Sequence, residues 1–591
     1  MRQIYLLIIF TSTLLTSVAQ TVVYVDADAT GANNGFSWAN AFNTIQPAID
    51  VADLAGGGEV WVAEGLYFTN ETNNRDQFIT VPSGIDLYGG FDGTEVAKSD
   101  RDIFNNVTAI SGDIGTPGIE TDNSKGLIRF PILSQTQPIQ ILDGFIIEDA
   151  YINDGSNGAL SAVWGGNLKI LNCIFRNNTM AHTFLGAALQ TVWSIEIINC
   201  EFYSNISFIR NSGVVTLTTI ESNSRIVNSL FYDNQTTGTS DLGVIGIEVT
   251  ASFDIVNSTF NTTSQRSIQI GGVDGSTSIK NNIIFTSQLG NPLNLTSGDI
   301  DNNIISNTNL PNNFNVDPEF IDFSNNDFRI DDCSPAINRG DNSAISNDIT
   351  IDYFGNERIF DGSVDIGFYE YQLVSLNPTT EVFDVQCTGD NDGQISVNAN
   401  GQTPEFKLST ESNFVAVGSG QTISGLPAGT YTINFRDANG CTSDITLSLS
   451  EPSVIDPNVS SSTVKCSGEA TGQIRVNPFG GTPNFSGNYD IAIDGIFQLN
   501  VPSFEFSSLD AGSYTITVRD INGCEIEEEI IVTESEMLNI TTSFDRSQVK
   551  LTASGGTAPY KYSVDGTNFQ TDSTFTLPNG QYTFTVRDAN G

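Results

Sequence analysis

Oxygen donors and thiols are the side chains of this sequence whose spacing could do chemistry. Asp26, Asp28, Asn33 and Asn34 alternate through the turn-rich run DADATGANNG, Asp26 to Gly35. Carboxylates and amide oxygens spaced in this way can fold around Ca2+, which takes about six to eight oxygen ligands. The competing reading is an Asx-rich turn whose side chains cap their own backbone. Asp86, Asp92 and Glu95, around Gly89-Gly90, pose the same choice more loosely. One histidine, His182, excludes a His-rich metal centre and the usual zinc hydrolase constellations. Nucleophilic triads and phosphate-binding Gly loops find no support. No cofactor is required, and Ca2+ at the Asp26–Asn34 loop is the cation the sequence offers.

The overall charge narrows the partners. The 591 residues carry 69 acidic and 24 basic side chains, a formal charge of −45. Nucleic-acid phosphates need Lys and Arg, so a nucleic-acid partner is excluded, and docking on anionic lipid is disfavoured. Hydrophobic residues make up 39% of the chain, enough for packed cores. Charged residues make up 16%, below the usual ~25%, a balance that suits short strands and turns. Arg2, the apolar run Ile4 to Leu15, and Ser17-Val18-Ala19 form a secretory signal peptide over 1–19. No later run reaches ~18 uninterrupted apolar residues, so no transmembrane segment follows it. The expected location is secreted, extracellular and associated with the cell surface.

Elements that could position these groups are short strands. Val22 to Val25 reads as a strand, and Phe42, Ile45, Ile49 and Ala52 then recur at helical spacing. This single amphipathic helix suits a lid over an open core end. Downstream, Asn172-Cys173-Ile174-Phe175, Asn199-Cys200-Glu201-Phe202, Asn228-Ser229-Leu230-Phe231 and Asn257-Ser258-Thr259-Phe260 align without gaps. Asp143-Gly144-Phe145 precedes them, and the Asn-Asn-Ile-Ile runs at Asn281 and Asn302 follow. Strands repeating every 20–30 residues without helices predict a parallel β-solenoid, one coil per repeat. The repeated Asn falls at a bend, and the Phe of each copy faces the core. Cys173 then stacks on Cys200 in an orientation poor for a disulfide, giving two buried free thiols.

Residues 22–370 resemble the right-handed parallel β-helix, pectin-lyase-like proteins of secreted bacterial origin. The resemblance rests on Tyr24 to Phe42, Ile85 to Glu95, Asn105 to Gly115 and the closing run Cys333 to Glu370. The closing run resembles a "choice-of-anchor" terminus, which seals the last coil. An enzyme of the polysaccharide-lyase kind on this fold needs carboxylates for Ca2+, a base and an open groove. Asp143, Glu148, Asp149, Asp154, Lys169, Arg176, Glu196, Glu201, Arg210, Arg225 and Arg266 supply the residue types but form no repeated cluster. The paired-aspartate motifs of β-helix pectin hydrolases are absent. No residue is assigned a catalytic role.

A longer repeat begins after Tyr371. Its recurring end reads GTYTINFRDANGC (Gly429 to Cys441), GSYTITVRDINGC (Gly512 to Cys524) and GQYTFTVRDANG (Gly580 to Gly591). Alternating strands and Asn-Gly turns predict small β-sandwiches. The recurrent Arg-Asp pairs are read as turn-fixing. These copies resemble the SprB-type repeat of giant surface adhesins and other exported proteins of Bacteroidota. The resemblance implies disulfides Cys387–Cys441 and Cys466–Cys524, one closing each of the first two sandwiches. The third copy lacks the first cysteine and reaches Gly591 one residue before the expected second, so the chain is read as a fragment.

The expected fold is all-β: a right-handed parallel β-helix with an N-terminal capping helix, followed by tandem Ig-like β-sandwich repeats. Its boundaries are 1–19, 20–372, 373–450, 451–537 and 538–591, the last being a truncated repeat. The expected function is an adhesin-like protein whose β-helix face binds a carbohydrate or cell-surface ligand, with the sandwiches as spacers. The alternative is a Ca2+-assisted polysaccharide lyase, or another carbohydrate-active β-helix enzyme.

Overall fold

A computed structural model describes residues 21–591 apart from 70–71, 132–138, 155–157, 163–166, 182–185, 192–193, 209–212, 220–223, 237–243, 250–252, 263–267, 272–276, 287–292, 296–298, 307–309 and 419. The signal-peptide expectation lies outside the described residues, as do His182, Arg210 and Arg266. The chain divides into two compact units, Met1–Ser375 and Leu376–Gly591.

The first unit is a β-helix whose strands stack in parallel, coil on coil. A ten-stranded sheet runs from Thr21–Val25 to Asp299–Asp301, and a nine-stranded sheet from Gly65–Phe68 to Ile304–Ile305. An eight-stranded sheet, Ile79–Thr80 to Leu293–Leu295, forms the third side. A short ladder joins Tyr151–Ile152, Thr179–Met180, Ile206–Ser207 and Gln235–Thr236. Each coil pairs in register with the next, so Phe175, Phe202, Phe231 and Phe260 lie directly above one another. Their rings stack at centroid separations of 4.7, 4.7 and 4.8 Å. That is the interstrand spacing itself, so each coil's core residue packs on its own counterpart. All four are fully buried.

The bend before each Phe is held by the repeated Asn. Asn172, Asn199, Asn228, Asn257, Asn281 and Asn302 all lie in the left-handed region, with φ between 50° and 59°. Asn reaches that region more easily than other side chains bearing a Cβ. The next position turns inward and forms its own ladder. Cys200 N donates to Ser229 Oγ (3.2 Å), Ser229 N to Ser258 Oγ (3.1 Å), and Ser258 N to Asn282 Oδ1 (2.8 Å). Cys173 and Cys200 occupy the same ladder as buried free thiols. Burial pushes the Cys173 thiol up to about 12, because a thiolate there would lose its solvation.

Both ends of the first unit are covered. Helix Ile45–Leu54 buries Ile45, Ala48, Ile49 and Ala52 against the first coils. Thr44 holds its N-cap position without a side-chain cap bond. Asn43 Nδ2 instead donates to the carbonyls of Asp26, Ala27 and Ala29. At the far end Phe314 bridges to Ile304. The chain then folds back along the bends: Ile349 packs with Ile198 and Val227, and Phe328 and Phe368 with Leu230. The bend asparagines receive it, Asn228 Nδ2 donating to Ile351 O (2.8 Å) and Asn257 Nδ2 to Asp365 O (3.0 Å).

This returning segment is pinned by a buried charge cluster. Arg358 is fully buried and donates to the carbonyls of Asp365 (3.1 Å) and Gly367 (2.6 Å). Buried Glu370 lies 3.7 Å from its other terminal nitrogen. Asp352 and Asp365 complete the cluster, each accepting backbone amides. Burial, with Asp365 alongside, raises Glu370 to about 8, and burial raises Asp365 to about 6.

The sheets of the second unit are antiparallel, and one isolated parallel bridge joins Val464 to Glu534. In the first repeat Asn377–Phe383, Gly393–Asn400 and Gln421–Leu426 face a sheet of Val415–Ala416, Glu405–Leu408, Gly429–Arg436 and Thr442–Leu449. The second repeat has the same three-plus-four arrangement, and the third has sheets of three and two strands. Tyr431, Tyr514 and Tyr582 each donate to the carbonyl four residues upstream, at 2.8, 3.0 and 3.1 Å. This is the tyrosine corner of immunoglobulin-like sandwiches. The Arg-Asp pairs fix their turns as expected. Asp437 Oδ1 accepts from Asn439 N and Cys441 N, and Asp520 Oδ1 from Asn522 N and Cys524 N. The preceding Arg436, Arg519 and Arg587 lie 4.0, 4.2 and 4.2 Å over Phe414, Phe497 and Phe569.

The cysteine pairing departs from expectation. Cys387 is bonded to Cys524, Cα to Cα 5.6 Å, across 137 residues of sequence. Cys441 is disulfide-bonded but not to Cys387, and Cys466 is a free thiol. The reason is docking between repeats. Asn522 in the second repeat's turn donates to Gln386 O (3.2 Å), placing that turn beside Cys387. The first cysteine of a repeat thus meets the last turn of the following repeat.

Candidate functional site

A groove of about 580 Å³ runs beside the short ladder of the β-helix. Two recurring positions build it. Asn178, Asn205 and Asn234 are fully buried, and each is the amide anchor of one coil. Asn178 N donates to Asn205 Oδ1 and Asn205 N to Asn234 Oδ1, both at 3.1 Å, while each Nδ2 donates to a core-strand carbonyl. With that position locked inward, the residue before it is forced outward in the left-handed region. Those residues are Asn177, Ser204 and Asp233, with φ of 55°, 52° and 47°, and Asp149 before Ala150 takes the equivalent place one coil earlier, with φ of 60°. They form a polar line along the floor of the groove.

The loop over residues 112–124 forms one wall. Asp113, Glu120 and Asn123 line it. Asn123 is 4% exposed, and its Nδ2 donates to Asp149 O at 2.8 Å. Its Oδ1 is buried without a hydrogen-bond partner, as is one carboxylate oxygen of Asp113. A buried acceptor left unmade costs about 1–3 kcal/mol. Asp149 is held above the usual carboxylate range, first by burial, then by Glu148 and Asp113 nearby. No Lys, Arg or aromatic residue lines the groove among the described residues. The site therefore offers acceptors to a ligand rich in donors.

The cations of the central coils are held elsewhere. Lys169 pairs with Glu196 (3.0 Å), Arg176 with Glu148 (2.6 Å), and Arg225 with Glu196 and Asp348. Asp154 and Asp143 pair with Lys125 and Arg101. Glu201 accepts from Tyr353 of the returning segment (3.0 Å), and burial raises its carboxyl. Three of the four candidate calcium donors accept backbone amides, and Asp28 enters this set through its backbone N–H alone. Asp26 Oδ1 accepts from Asp28 N (2.9 Å), Asn33 Oδ1 from Asn43 N (3.2 Å) and Asn34 Oδ1 from Phe36 N (3.2 Å). Asp86, Asp92 and Glu95 likewise accept backbone amides. Sequence reasoning missed Asn177, Ser204 and Asp233. Their signal was present: each precedes an Asn that falls six residues after the bend Asn.

The fold and the groove define an all-β protein in which a β-helix precedes immunoglobulin-like sandwich repeats. No family model matches the chain, and no curated protein matches it. Among solved structures the chain is similar to Sidekick-1 immunoglobulin domains 1-5, at 12% identity and a TM-score of 0.18. That match covers 34% of this chain and 50% of the other, so the chain spans half of that structure's length. It is also similar to the I-band fragment I67-I69 from titin, at 11% identity and a TM-score of 0.18, covering 36% and 87%. Scores this low carry no argument about function. Among the described residues no helix is long and apolar enough to cross a membrane.

Proposed function

We propose that this is an adhesin-like extracellular protein whose β-helix groove binds a neutral, hydroxyl-rich carbohydrate, with the sandwich repeats as spacers. The observation that carries the reading is the line Asp149, Asn177, Ser204 and Asp233 beside the buried, unpartnered Asn123 Oδ1. Carboxylates and amides in a row accept hydrogen bonds from successive sugar hydroxyls, with charge-assisted bonds the stronger ones. A polyuronate would bring like charge to Asp113, Glu120 and Asp233, each close contact opposing binding by about 1 kcal/mol in water. The bridge Cys387–Cys524 suits an oxidising, extracellular compartment. The reading requires no cofactor, and Ca2+ at the Asp26–Asn34 loop is an optional addition to it.

A glycan array probed with the full chain, with Ca2+ and with chelator, tests the proposal. Retention of neutral polysaccharides over polyuronates, under both conditions, is the expected result. Unsaturated product absorbing near 235 nm from a polyuronate would replace it with the lyase reading.

A further inference from the structure

We infer that the sandwich array is a load-bearing tether in which the Cys387–Cys524 bridge removes the first two repeats from the path of tension. The inference concerns how force crosses the chain, and it stands whether or not the groove binds a glycan. Cys387 lies just past the first strand of repeat one, Asn377–Phe383, and Cys524 just before the last strand of repeat two, Glu525–Val532. Tension entering between Ser375 and Cys387 and leaving after Cys524 crosses one S–S bond. The residues between them, including the junction at 450–456, carry no load. Only the two outer strands lie outside the closed loop. Bridges confined to single repeats would leave that junction under tension, so the staggered connectivity is what shields it.

The joint is built to hold this arrangement. Asn522 Nδ2 donates to Gln386 O (3.2 Å), Thr388 Oγ1 to Pro452 O (2.8 Å), and Gly389 N to Glu451 Oε2 (2.6 Å). The same contacts recur one repeat later. Asn590 Nδ2 donates to Lys465 O (3.0 Å), and Gly468 N to Glu534 Oε2 (2.9 Å). There Cys466 takes the place of Cys387 but is a free, half-buried thiol. The molecule thus holds one covalent joint and one equivalent joint without the bond.

Single-molecule stretching of the full chain, with handles at Ser375 and Gly591, tests the inference. The oxidised chain is expected to fall short of the reduced one by roughly 400–500 Å, since the bridge hides 137 residues at about 3.3–3.6 Å each. The reductant is a dithiol, which gives two electrons and two protons to the S–S bond, leaves two thiols and becomes a cyclic disulfide. Cys524→Ser, checked for native circular dichroism, is expected to give a gain of the same order without reductant. If that variant does not fold, the wild-type chain with and without dithiol decides. An oxidised chain that already reaches the reduced length, or that hides two shorter loops, would overturn the inference. A cysteine appended directly after Gly591 supplies the second reading. It is expected to bond Cys466; a Cys466 thiol still free after air oxidation would overturn the equivalence of the joints.

Discussion

Arg358 shows most clearly how single residues set the behaviour of the first unit. Its charge is fully buried among Asp352, Asp365 and Glu370. Removing one partner from a buried charge network leaves the others unpaired, at a cost of about 3–5 kcal/mol. Arg358→Ala is therefore expected to lower stability by about that amount in denaturant titration. The same cluster sets a pH slope. Glu370, raised to about 8, keeps in the native state a proton that the unfolded chain releases near pH ~4.3. Stability from this group is complete below the unfolded value and falls as pH rises towards 8, and Asp365 adds a fall up to about 6. Asp341 and Asp348 act oppositely. Hydrogen bonds from Ser343 and from Arg225 hold them low, so their contribution is lost as pH falls below about 4. Melting temperature is expected to decline from pH 5 to 8, with Glu370→Gln flattening the decline. An unchanged slope in that variant would place the titration elsewhere. Thiols give a second residue-scale readout: of the free cysteines 173, 200 and 466, only Cys466 is expected to react with a thiol reagent in the native chain.

At the scale of elements the ladders dominate. Phe202 packs between Phe175 and Phe231 on both sides, so Phe202→Ala is expected to destabilise by about 3–5 kcal/mol through transfer and cavity effects. Asn205→Ala removes an anchor that serves Asn178 and is served by Asn234, leaving buried groups unpaired. A comparable loss is expected, measured in the same titration. Much of this architecture was legible in the sequence, because a coil repeats its bend Asn and core Phe at one position per turn. The cap helix was legible from Phe42, Ile45, Ile49 and Ala52 for the same reason. The groove was not, since its line depends on the buried ladder beside it, and Ser, Asn and Asp alternate there as ordinary surface residues would. The disulfide was misread because pairing depends on which turn docks against which loop. No spacing within a single repeat carries that information.

The whole molecule joins a β-helix with an acceptor-lined groove to repeats whose first joint is covalent. A formal charge of −45 is spread over a chain that exposes few cations, which favours a neutral ligand and disfavours anionic ones. Binding through hydroxyl hydrogen bonds should also vary little with salt, because screening acts on charge pairs. The measurement that tests the central claim most directly is calorimetric titration of the full chain and two variants, Asn123→Leu and Asp149→Ala, with a neutral oligosaccharide retained on the array. The account predicts saturable binding by the natural chain and at least a tenfold weaker Kd in both variants, about 1.4 kcal/mol or more. Equal affinity in all three folded proteins, or no binding of any neutral glycan by the natural chain, would contradict it.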